Sequence, residues 1–296
     1  MNYQEFEDMV MENILTYLPE EYQGSNVTIR DICKLGENYR GLSIIKPGAN
    51  TSPVADMNAL YEEYRYHMAD KDFVLAEIAD LFKKPVPYFA LEEFTDYESI
   101  KKRLYIRVSN SKNEALVNAP HRIVEDLAIT YHAEMSIRTD GIKSSVMVNN
   151  IMAKEYGVTE LQLYQDAIEN SAKINPSYIS TLAEELGLSE GDSPSIYLIT
   201  TKDKVYGAAA IMYPSVLDEL FLKVNGPYYI LPSSVHEVLA IPDDGMQDPD
   251  VLQQMVETVN QTEVAPGERL SNNVYYYDGR SFSKCANASE RRQAYV

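Results

Sequence analysis

The sequence predicts an α+β fold: a mostly antiparallel sheet built from β-hairpin–helix units, with helices packed on it. Three observations carry that prediction. Apolar runs of strand length come in pairs joined by short turns. In the second half of the chain each pair is followed by a stretch with helical spacing. Strands do not alternate singly with helices, and neither a GxGxxG turn nor a P-loop is present, which excludes a doubly wound nucleotide-binding sheet.

From the N-terminus, residues 2–18 place Phe6, Val10, Ile14, Tyr17 and Leu18 at helical spacing, and Pro19 stops the helix. "NVTIRDICKL" and "RGLSIIKP" read as two strands of a hairpin joined through "GENY". Residues 58–69 and 71–84 read as helices. A helix from Asp96 to Arg103 leads into the strand "LYIRVSN". The polar, proline-ended segment "NSKNEALVNAP" then reads as an interior boundary. The expected organisation is an N-terminal α+β region over 1–113, a C-terminal α+β region over 114–280, and a loose polar tail over 281–296.

In the second region "LAITYHAEM" and "KSSVMVN" pair across "SIRTDGI". Helices are expected over Asn150–Tyr156, Glu160–Lys173 and Ser177–Leu186, the last ending at Gly187. "SIYLITT" and "VYGAAAIMY" read as a hairpin across "KDK", followed by the helix "PSVLDELFLKV". "YYILP" and "VHEVLAIP" supply two more strands. In "DPDVLQQMVETVNQT", Asp248 caps a helix and Pro249 occupies its first position. "NNVYYYDG" reads as the closing strand.

Composition narrows the function classes. The chain has 296 residues, 45% of them hydrophobic, enough to build a core without disulfides. It has two cysteines, Cys33 and Cys285, far apart and with no CxxC spacing. The N-terminus lacks a signal-peptide pattern and no apolar run is long enough to span a bilayer, so a cytoplasmic protein is expected. A net charge of −19 opposes both nucleic acid and anionic membranes as partners. The 23 tyrosines, with no tryptophan, suit core edges and interfaces alike.

Two stretches hold the candidate chemistry. In "PSSVHEVLAIP", a strand through the last residues would put Val235, Glu237, Leu239 and Ile241 on one face and His236, Val238 and Ala240 on the other. Neighbours on opposite faces cannot act on one substrate atom. His236 and Glu237, with the turn hydroxyls of Ser233 and Ser234, therefore read as the lining of a recognition cleft. In "APHRIVEDLAITYHAEM", His121, Arg122, Glu125, Asp126, His132 and Glu134 gather in a short span. His121, Arg122 and Asp126 join the candidate cleft, whereas His132 reads as a solvent-side residue on the polar face of its strand. No HExxH or HxxxH spacing pre-places metal ligands and no G-x-S-x-G elbow exists, so neither metal nor other cofactor is expected.

"LPSSVHE", "LYQDAIEN" and "YGAAAIMYP", within a likeness running from Tyr3 to about Asp278, resemble an uncharacterised bacterial family, a domain of unknown function. The middle and C-terminal portions are also distantly similar to a broader group of bacterial conserved hypothetical proteins. The resemblance implies a bacterial, cytoplasmic chain and brings no established activity, cofactor or catalytic residue. The expected function is a non-catalytic module binding an unknown protein or small-molecule partner, with no nucleic acid or membrane. One alternative is a hydrolase-like enzyme using His236 and Glu237 with His121 or Asp126. Another is an acidic regulator that sequesters a basic partner.

Overall fold

The computed structural model describes residues 1–34, 37–49, 52–67, 70–84, 94, 96–135, 145–188, 196–232 and 234–285. Its first helix, α1 (Tyr3–Asn13), starts where Asn2 and Glu5 cap each other reciprocally, and it buries Phe6 and Val10. Ile14 continues that stripe in a following 3-10 turn. Strands β1 (Asn26–Lys34) and β2 (Glu37–Ile45) pair from Asn26↔Ile45 to Lys34↔Glu37, as the hairpin reading expects. The connecting Leu35 and Gly36 lie outside the described residues. A short strand, β3 (Val54–Asp56), joins β2, and helices α2 (Met57–His67) and α3 (Lys71–Lys83) follow. Val74, Leu75, Ile78, Ala79 and Phe82 form the apolar stripe of α3 and share one core with Phe6, Val10, Ile14 and Leu42.

The contacts divide the chain into two units, Met1–Glu92 and Glu93–Val296. Strand β4 (Leu104–Asn110), placed in the first region by the sequence reading, pairs along its whole length with β6 (Leu127–Glu134) of the second unit. The "NSKNEALVNAP" segment between them is a 3-10 turn, Glu114–Asn118, with Ala115 and Leu116 buried.

The second unit holds two antiparallel sheets. In the first, β6 lies between β4 on one side and β5 (His121–Val124) and β7 (Ser145–Met147) on the other. Seven of the eight β6 residues are buried, as a strand covered on both faces requires. Helices α4 (Tyr97–Lys101), α5 (Asn150–Tyr156) and α6 (Glu160–Ile174) match the sequence reading closely. Leu163 and Ala167 of α6 share the core of Leu104, Ile106, Ile129 and Tyr131.

The second sheet has the order β13-β12-β10-β11-β9-β8. Its strands are β8 (Ser177–Thr181), β9 (Tyr197–Thr201), β10 (Tyr228–Pro232), β11 (Val238–Pro242), β12 (Tyr275–Tyr277) and β13 (Phe282–Lys284). Tyr228 and Ile230 face the main core. Tyr229 and Leu231 face α9 (Pro249–Thr262) through Leu252 and Val256. Helices α7 (Leu182–Glu185) and α8 (Val216–Val224) complete the unit.

Three local expectations are corrected. Ser177–Thr181 is a strand, because it finds β9 as a partner from Ser177↔Thr201 to Thr181↔Tyr197; helix begins only at Leu182, capped by Thr181. "GAAAIM" is a buried 3-10 helix, Gly207–Met212, because β8 and β11 already occupy both edges of β9. Its run of alanines lets the backbone pack closely without needing strand pairing. Finally, Phe282–Lys284, expected in a loose tail, pairs with β12 from Tyr277↔Phe282 to Tyr275↔Lys284. Residues 286–296 lie outside the described residues.

Candidate functional site

The turn before β11 is built by its own polar atoms. Strand pairing begins at Val238, so His236 and Glu237 precede the strand, and the alternation expected for them does not operate there. Instead, the Ser234 N–H donates to the Glu237 carbonyl (3.3 Å), and the Ser234 hydroxyl donates to the Glu237 carboxylate (3.1 Å). The same hydroxyl accepts the His236 N–H at 3.0 Å. Ser233 lies outside the described residues.

Neighbouring chain clamps this turn. Thr200 donates its hydroxyl to the His236 carbonyl at 2.7 Å. The Val235 N–H donates to the Glu268 carbonyl (2.9 Å), and the Ala208 N–H donates to the Val235 carbonyl (3.2 Å). Gly207 makes the close approach possible. A Cβ there would sit 2.1 Å from Thr200 Oγ1, 2.5 Å from the Thr201 nitrogen and 2.6 Å from the His236 oxygen.

The His236 ring is held at both nitrogens. Nδ1 accepts the Tyr206 backbone N–H at 3.2 Å, and Nε2 lies 3.4 Å from Glu268 Oε1. A ring that accepts at Nδ1 carries its proton on Nε2, which then donates to Glu268. Tyr206 itself has φ +52°, a left-handed backbone that a bulky side chain rarely adopts. Its ring lies 5.4 Å from the His236 ring centre, and the Arg107 guanidinium carbon lies 3.8 Å from its centroid. Stacking on tyrosine in this way is a favourable cation–π arrangement.

Arg107 reaches this place from the face of the first sheet that points away from α6. Register pairs Tyr105 with His132, Arg107 with Thr130, and Thr130 with His121, so these side chains share that face. Arg107 Nη2 donates to the Tyr105 hydroxyl (2.7 Å) and to the Ser145 hydroxyl (2.8 Å). His132, expected on the solvent side, is buried there. Its Nε2 lies 3.0 Å from Thr130 Oγ1. Burial, and secondarily the Arg107 charge, hold the His132 imidazole neutral well below its ordinary range.

The other candidates are employed elsewhere. His121 Nδ1 donates to the Ala119 carbonyl at 2.8 Å. Arg122, on the opposite face of β5, forms a two-point pair with Glu160 (3.1 and 2.9 Å), and its guanidinium sits 4.0 Å from the Tyr164 centroid. Tyr131 also donates to Glu160. Burial pushes the Glu160 carboxyl up, but Arg122 and Tyr131 outweigh it and leave it below its usual range. Asp126, in the β5–β6 turn, accepts from Ser271 (2.6 Å), Asn273 (2.8 Å) and Tyr275 (2.6 Å). The structure thus joins Ser234, His236 and Glu237 in one turn and leaves Arg122 and Asp126 in separate networks.

A cavity of about 290 Å³ opens between Val124, Ile129, Tyr164, Met212, Leu217 and Tyr277, with Asp218 at its rim bonded by the Tyr277 hydroxyl. None of Ser234, His236, Glu237, His121, Arg122 and Asp126 lines it. Among the described residues no group of three or more His, Cys, Asp or Glu side chains is placed to hold a metal ion. No helix among them is long and apolar enough to cross a membrane. Sequence reasoning missed Arg107, Tyr206 and Glu268. An arginine alone inside the apolar strand "LYIRVSN" is the signal that could have found the first.

The model of DUF5688, a family of unknown function, matches residues 3–279, and the chain belongs to that family. No curated protein and no solved structure matches it.

Proposed function

We propose that this member of a family of unknown function is a non-catalytic binding module of the bacterial cytoplasm, and that the surface formed by His236, Tyr206 and Arg107 is where it recognises a small molecule. The observation that supports the reading best is the Tyr206 ring, set in a left-handed backbone and in contact with both the Arg107 guanidinium and the His236 imidazole. Such a conformation costs of order 1–3 kcal/mol and recurs at ligand sites, where a side chain must be held in one place. Here a partly exposed aromatic ring has charged and polar neighbours, an arrangement suited to recognition.

Catalysis by the turn finds less support. The Ser234 hydroxyl is spent on Glu237 and His236, both within its own turn, and is not aimed at an imidazole base. His236 points one nitrogen at a backbone N–H and the other at Glu268. Asp126, the distant partner a hydrolase would need, is occupied by three donors. The cytoplasmic placement is supported by the acidic composition, by the scarcity of cysteine and by the absence of a membrane-crossing helix among the described residues.

The test is a small-molecule screen by ligand-observed NMR on wild type and His236→Ala, with a broad hydrolase and metal panel run beside it. Binding weakened by the substitution, in a protein whose stability changes by less than about 2 kcal/mol, is the expected result. Wild-type turnover abolished by both His236→Ala and Glu237→Gln, with folding intact, would replace this reading by the hydrolase.

A further inference from the structure

We infer that Arg107 reads an oxyanion, a carboxylate or phosphate carried by a small molecule, at the His236–Tyr206 surface; the inference rests on the binding reading given above. Three arginines of the chain show why. Arg40 is paired with Glu7 at 2.9 Å, and Arg122 with Glu160 at 2.9 Å. Among the described residues Arg107 meets neutral groups: the hydroxyls of Tyr105 and Ser145 and the rings of Tyr105 and Tyr206. Among the described residues no carboxylate pairs with it, although the chain carries 45 acidic residues against 26 basic ones.

Among the described residues, one further donor is unspent. Nε is buried and has no acceptor among the described residues. A buried N–H without a partner carries a desolvation cost, so the fold leaves this guanidinium incompletely satisfied. Two neutral hydroxyls and an aromatic face fix the plane of the guanidinium, so the fork is oriented before any ligand arrives. Both Nη2 hydrogens stay on Tyr105 and Ser145, so what this pre-organisation offers an oxyanion is a fixed positive charge and the remaining N–H groups. His132, on the same face, is buried beside Thr130 and adds no second charge.

The surroundings also limit the ligand. Glu268 stands 3.4 Å from His236 Nε2, and Glu237 closes the same turn. Carboxylates at the rim repel a polyanion and tolerate one compact anionic group. A small acid fits this pattern, and a nucleic-acid backbone does not.

The experiment is an NMR titration of the full chain with inorganic phosphate in one arm and acetate in another, at constant ionic strength made up with chloride. The Arg107 Nε–H and the Tyr206 amide report. A saturable shift of both signals in at least one arm is expected, and the arm that saturates at lower concentration identifies the anion. Arg107→Gln should weaken it about tenfold or more, and Arg107→Lys, which keeps the charge, by less. Shifts that match the chloride control in both arms overturn the inference, and this result needs no variant to fold. Saturable binding that survives Arg107→Gln overturns it too. If neutral compounds from the screen bind in a manner that Tyr206→Ala abolishes and Arg107→Gln leaves intact, the oxyanion inference fails while the binding module stands. If no compound, neutral or anionic, perturbs Tyr206, both fail together.

Discussion

Asp126 and Arg107 are each a charged side chain lodged beside tyrosines in the same unit, and they have opposite fates. The Asp126 carboxylate takes three hydrogen bonds, from Ser271, Asn273 and Tyr275, and so ties the β5–β6 turn to the start of β12 and the segment leading into it. Arg107 is oriented by neutral groups and keeps a buried N–H without an acceptor. A saturated charge is structural, because nothing remains for a ligand to satisfy. An oriented charge with donors to spare is the better candidate for recognition.

The comparison breaks first at Asp126. Replacing it by Ala strands three donors, and a loss of about 2–3 kcal/mol is expected in denaturant unfolding. Burial pushes this carboxyl up, and the hydrogen bonds from Ser271, Tyr275 and Asn273 bring it below its usual range. The stability it supplies is therefore complete above about pH 4, the ordinary aspartate value, and is lost as pH falls through the lower folded value. Asp126→Ala should remove that acid-side slope. A change below about 0.5 kcal/mol would show that the network carries no weight.

Gly207→Ala comes next. Its Cβ would meet Thr200 Oγ1 at 2.1 Å and two backbone atoms within 2.6 Å, so the His236 turn must shift. A destabilisation of about 1–3 kcal/mol is expected, together with displaced Tyr206 and His236 resonances. Unchanged spectra would mean that the turn does not depend on this close approach.

His132 sharpens the electrostatic side. Its folded pKa is depressed, so the folded state resists a proton that the unfolded chain accepts. Stability should be full above about pH 6.5 and fall by up to about 1.4 kcal/mol per pH unit below it, until the folded value is reached. His132→Gln should flatten that limb, as followed by thermal unfolding between pH 7 and pH 5. An equal slope in both proteins would contradict a buried neutral imidazole. Arg107→Gln gives the smallest stability effect, within about 1 kcal/mol, since no ion pair is broken. A large loss would move Arg107 into the same structural class as Asp126.

Much of the fold was legible in the sequence because its signals are local. Asn2, Asp96, Thr159 and Asp248 each accept a hydrogen bond from the first turn of the helix they precede. The apolar stripes of α1, α3 and α9 follow helical spacing. Illegible parts depended on partners distant in sequence. "SYIST" has no apolar alternation that marks a strand, and β9 recruits it. "GAAAIM" reads as extended and becomes helical because both edges of β9 are taken. At the site the failure has the same cause. "VHE" reads as strand interior until the register shows β11 starting at Val238. Arg107 and Tyr206, from distant parts of the chain, meet only through the fold.

The central claim is that recognition happens at the Arg107–Tyr206–His236 surface and not in the cavity beside α8. The His236 Hε1 proton and the Met212 methyl group report on these two places separately, since Met212 lines the cavity and His236 does not. A ligand found by screening should move the His236 signal saturably and leave Met212 in place. Saturable movement of the Met212 methyl with His236 unmoved would contradict the account and assign binding to the cavity.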